Sequence, residues 1–111
     1  MNQRLFAVPI LPGKTEQARD FLRALEGERR EELAACAERL GVSKEVWAIQ
    51  SGPQDGLLIC YFAAGDVERV RAAFPAPQEG FDAWFDAQLT GIAGPGWGRR
   101  YTGEILADYE T

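Results

Sequence analysis

The sequence predicts an α+β fold: a four-stranded antiparallel sheet with helices against one face, in the order strand, helix, strand, strand, helix, strand. Three observations carry that prediction. Residues 56–64, Gly-Leu-Leu-Ile-Cys-Tyr-Phe-Ala-Ala, form an extended run that is apolar on both sides. Leu57, Ile59, Tyr61 and Ala63 point one way, and Leu58, Cys60, Phe62 and Ala64 the other. Two segments space their apolar residues as helices do, and clusters of Gly and Pro punctuate the chain between them.

Taken in order, residues 3–10 read as the first strand. Leu5 and Ala7 lie on one side of it, with Phe6, Val8 and Ile10 on the other. Pro12-Gly13 ends it, and Lys14-Thr15-Glu16 opens a helix with an acid in its first turn. Ala18, Phe21, Leu22 and Leu25, then Leu33, Cys36, Ala37 and Leu40, form its apolar stripe. Unbroken, residues 14–40 would span about 40 Å. Gly27, which costs about 1 kcal/mol relative to Ala within a helix, marks a place for a kink or break, and Gly41 for its end.

Residues 44–51 read as the second strand. The turn-forming Gly52-Pro53-Gln54-Asp55-Gly56 then joins it to the third as a hairpin. Asp66 caps a short helix over residues 67–74, closed by Pro75-Ala76-Pro77. Phe81, Trp84, Phe85, Leu89 and Ile92 mark a further helix, so the second helical segment is split. After a Gly-Pro-Gly-Trp-Gly loop, residues 104–109 are expected as the fourth strand. This order is the ferredoxin-like arrangement, βαββαβ. With 111 residues, 1–111 is one domain, large enough to bury roughly 65% of the unfolded chain's surface. Helices on one side leave the other apolar face bare, so a second copy is expected to cover it, making a homodimer through the sheet face.

Composition removes several functions. The net charge is −5, and the basic doublet Arg29-Arg30 is hemmed in by Glu26, Glu28, Glu31 and Glu32, so no nucleic-acid partner is expected. No apolar run approaches the roughly 20 residues a membrane helix needs. The opening residues pass straight into a strand pattern with no signal-peptide core, which reads as cytoplasmic. The absence of histidine removes the usual serine and cysteine hydrolases, histidine-ligated haem and typical catalytic zinc. No metal and no cofactor is expected. Cys36 and Cys60 fall at apolar positions and read as small buried thiols.

What remains is carboxylates, aromatics and arginine. Trp47, Tyr61 and Trp84 combine an apolar body with a polar handle and suit either a core or the wall of a ligand pocket. Glu45 shares a strand face with Trp47. It reads either as a solvated residue of an edge strand or, inside a pocket, as a general base with a raised pKa. Asp82 follows Gly80-Phe81 at a helix start, where it reads as a cap or, less simply, a base. The charge run around Arg30 is a solvated helix face, from which Arg30 could reach an acidic ligand. Trp97 sits in a loop that is either a plain connector or a flap over a pocket, with Arg99 or Arg100 at its rim.

Leu-Pro-Gly-Lys-Thr-Glu, the helix carrying Glu-Arg-Arg-Glu-Glu-Leu, and Phe-Asp-Ala-Trp-Phe are together similar to the dimeric α+β barrel superfamily. Within it, the chain resembles small uncharacterised domains related to antibiotic-biosynthesis monooxygenases. The resemblance covers nearly the whole chain and is topological. It implies a homodimer with sheets face to face and a pocket between each sheet and its helices. Relatives include cofactor-free monooxygenases, polyketide cyclases, haem-degrading enzymes and domains of no known activity. The lack of histidine departs from the haem-binding branch, and no catalytic motif of the monooxygenases is matched. The expectation is a domain that binds a small apolar or aromatic molecule between sheet and helices. Its alternatives are a cofactor-independent monooxygenase or cyclase acting on a phenolic or polyketide-like substrate, and a purely structural interaction domain.

Overall fold

The structure is a computed structural model and describes residues 2–72, 80–100 and 103–110, with Arg99 and Arg100 described by their backbone alone. Strand β1 (Gln3–Pro9) leads into helices α1 (Thr15–Glu26) and α2 (Arg30–Leu40), then strands β2 (Val42–Gln50) and β3 (Leu57–Ala64). Helices α3 (Val67–Ala72), α4 (Phe81–Ala93) and α5 (Trp97–Arg100) follow.

The sheet has the order β1-β3-β2, with both pairings antiparallel. The doubly apolar run is therefore the central strand, the position where neither edge meets water. The expected hairpin is present. Gly56 closes it at φ +86°, where a Cβ would stand 2.5 Å from the Gln50 carbonyl oxygen, so only glycine fits. On the inner face Phe6, Val8, Leu58, Cys60 and Phe62 are buried. They pack with Ala18, Phe21 and Leu25 of α1 and Phe85, Leu89 and Ile92 of α4 into one core. The outer face differs. Leu5, Ala7, Ile59 and Tyr61 are only half-buried, and Val46 is 45% exposed.

The long first helix is broken where Gly27 stands. The Gly27 amide bonds back to the carbonyls of Arg23 and Ala24 and ends α1, and α2 starts three residues later. Gly41, with φ +76°, ends α2. The expected end of the next helix at Phe74, and its closure by Pro75-Ala76-Pro77, lie outside the described residues.

The four-stranded ferredoxin-like sheet is corrected to three strands, and the dimeric α+β barrel built on four-stranded sheets goes with it. Residues 104–109, expected as the last strand, form none. The Gly103 amide donates to the Leu5 carbonyl at 2.9 Å, so the chain does reach the free edge of β1. It comes so close that a Cβ there would lie 2.4 Å from that oxygen. Past this point the ladder stops. Ile105 alone is half-buried, while Leu106 and Tyr109 are 82% and 84% exposed. Pairing the whole segment would fix its backbone for the burial of one side chain, and conformational entropy outweighs that gain.

Candidate functional site

Strand register lays two rows of inward side chains across the sheet. One row is Arg4, Phe62 and Glu45, and the next is Phe6, Cys60 and Trp47. These six floor a cavity of about 90 Å³. Its roof is helical: Leu33, Cys36, Ala37 and Leu40 from α2, and Val70 and Arg71 from α3. Phe85 of α4 and Trp97 of α5 close the far side. Four of the lining rings touch in a cycle. Phe6 to Trp47 is 6.0 Å between centroids, Trp47 to Phe85 is 5.8 Å, Phe85 to Trp97 is 6.3 Å, and Trp97 to Phe6 is 5.9 Å. Contacts of this kind fix aromatic side chains in place. A groove of about 350 Å³ lies where β2 meets α1 and α2, and shares Leu33, Glu45 and Trp47 with the cavity.

Glu45 is the acid of the cavity wall. Burial raises its pKa above the ordinary carboxylate range, and a hydrogen bond donated by the Trp47 indole Nε1–H at 2.8 Å partly opposes that rise. Both thiols, Cys36 and Cys60, are free and buried. Burial and then the Asp82 carboxylate push Cys36 up to about 11, against a smaller opposing effect of Arg39. Cys60 is raised well above a free thiol by burial and by Glu45. Both therefore stay protonated near neutrality, as small apolar fillers do.

At the other end of the first row stands Arg4. Its Nη2 donates to the Glu68 carboxylate, and its Nε is buried with no acceptor among the described residues. Arg71 reaches the same carboxylate at 3.5 Å.

The residues singled out from sequence are split by this geometry. Glu45, Trp47 and Trp97 meet at the cavity. Trp97 is no loop flap. It is 8% exposed in the first turn of α5, and its Nε1–H donates to Asp86 at 3.0 Å. The side chains of Arg99 and Arg100 lie outside what is described. Tyr61 lies on the outer face, opposite Leu5 and Val46. Trp84 packs on Phe21 and Phe81, with the Arg29 guanidinium 4.4 Å from its ring, away from both the cavity and the groove. Arg30 is exposed at the start of α2.

Asp82 neither caps α4 nor enters the cavity. It accepts from Arg39 Nη2 at 2.6 Å and from the Cys36 thiol at 3.6 Å, tying α4 to α2. Sequence reasoning passed over Arg4 and Arg71. The signal for Arg4 was its parity: it shares a strand face with Phe6 and Val8, an unusual place for a cation.

Compared with protein-family models, curated proteins and solved structures, the chain matches none. Among the described residues, no group of three or more His, Cys, Asp or Glu side chains stands where it could hold a metal ion. No helix among them is long and apolar enough to cross a membrane.

Proposed function

We propose that this protein binds a small, mainly apolar molecule in the cavity between sheet and helices, and does so as a homodimer joined through the outer sheet face. The cavity itself carries the first part. Protein interiors pack with few voids larger than a water. A space of about 90 Å³, partly open to solvent, is larger than a single water. Its walls are aromatic and aliphatic, with a hydrogen-bonding group at each end of one row, the pattern of a ligand site. The volume suits one ring or a short chain better than a multi-ring polyketide.

The homodimer rests on the outer face: Leu5, Ala7, Val46, Ala48, Ile59 and Tyr61 share it, with Lys44 toward one end. A two-fold axis would set aliphatic against aliphatic, with few charges to bury. Two free thiols suit a reducing cytoplasm.

A second reading, cofactor-independent oxygenase or cyclase chemistry, draws its support from Glu45. A carboxylate with raised proton affinity is a better base for a phenolic or activated carbon acid. Oxygen uptake with a single-ring quinol, abolished by Glu45→Gln, would favour it.

The binding reading is tested by filling the site. Ala37 is half-buried on α2 and lines the cavity. Ala37→Leu is expected to leave the fold intact and to weaken uptake of a small apolar probe, such as hexanol, at least tenfold. Unchanged affinity would place the probe elsewhere.

A further inference from the structure

The two ends of the cavity differ in charge. Arg4 and Glu45 flank Phe62 in one row, so their Cα atoms are two strand spacings apart, about 10 Å. At the Glu45 end the carboxyl is held toward its neutral form and already accepts from Trp47. At the other end Arg4 and Arg71 line the cavity. Among the described residues the one acid they touch is Glu68, itself 67% exposed. Two cations at this end therefore share one largely solvated carboxylate among the described residues. The Arg4 Nε–H is enclosed by protein and has no acceptor among the described residues. A buried donor left unpaired is destabilising, and an acceptor arriving with a ligand would offset that cost.

We infer that the molecule held here is an acid, a carboxylate with a short apolar body. Its head lies between Arg4 and Arg71, and its body runs over Phe62 and Cys60 toward the aromatic rings. This rests on the ligand-binding reading above and gives that reading a chemical class. A carboxylate offers two oxygens to a guanidinium fork, so it can take the Arg4 Nε–H while Glu68 keeps Nη2. Four aromatic rings beside Glu45 would by themselves suit a cation. The positive charge of Arg4 and Arg71 at the other end opposes one. The protein's net charge of −5 disfavours general adsorption of anions, so anion preference reports on this site.

Three probes of equal chain length separate the cases: hexanoate, hexanol and hexylammonium, titrated at pH 7.5 by calorimetry. Hexanoate is expected to bind at least tenfold more tightly than hexanol, and hexylammonium more weakly than either. Arg71→Gln, at a partly exposed site on the short α3, should keep the fold and cut the hexanoate preference severalfold while leaving hexanol unchanged. Arg4→Met should bring hexanoate and hexanol within twofold of each other. Equal binding of hexanoate and hexanol by the unaltered protein, preference for hexylammonium, or a hexanoate preference that survives both substitutions would overturn the acid inference and leave the cavity reading standing. Binding of none of the three would overturn both.

Discussion

Glu45 is the residue on which sequence and structure bear most directly. Strand parity placed it beside Trp47, but parity could not say which face the helices would cover, because both faces of β3 are apolar. For the same reason Tyr61 and Trp47 were equal candidates, and only Trp47 faces the cavity. The Gly-Pro-Gly-Trp-Gly string reads as a loop, whereas the structure buries Trp97 in the first turn of α5. The Glu45 environment fixes a sign for pH dependence. Its folded pKa lies above its unfolded value, so the folded state loses stability as pH rises from the ordinary carboxylate range through the raised value. Glu45→Gln keeps an oxygen for the Trp47 indole and removes the charge. Urea unfolding is expected to show this variant more stable than the parent at pH 8, with the difference closing near pH ~4. An advantage that instead grew toward acid would refute a buried, proton-holding Glu45.

At the scale of elements, three strands and helices α1 to α4 are legible in the sequence, and α5 is not. Alternation, helical spacing and Gly/Pro punctuation are local signals, and tertiary packing agreed with them. Gly27 was marked as a place to break and is where the chain does break. The tail was not legible. Ile105, Leu106 and Tyr109 have the composition of a strand, but composition does not reveal whether inward neighbours exist to bury it. Among the described residues of the tail only Gly103 bonds to the edge of β1, and the sheet has three strands. Truncation after Gly103 should therefore cost less than about 1 kcal/mol in denaturant unfolding, since the lost residues are mostly exposed. Loss of cooperative folding on that truncation would show that the segment pairs as a strand after all.

The whole molecule is a two-layer sandwich, helices against the inner face of a sheet whose outer face is apolar and half-buried. Static light scattering at micromolar concentration is expected to give twice the chain mass of 12.3 kDa. Val46→Lys, at a position already 45% exposed in the single chain, should return the mass to that of one chain without unfolding it. A single-chain mass for the unaltered protein would end the homodimer proposal and leave the cavity untouched, since its floor and roof come from one chain.

That independence makes the cavity the central claim, and the three tryptophans test it most directly. Trp47 and Trp97 line the cavity and Trp84 lies apart from it, so the indole N–H signals of a nitrogen-15 spectrum form a built-in reporter and control. Titration with hexanoate is expected to shift the Trp47 and Trp97 signals saturably and to leave that of Trp84 in place. No shift at saturating probe, or movement of Trp84 alone, would contradict a binding site between the sheet and its helices.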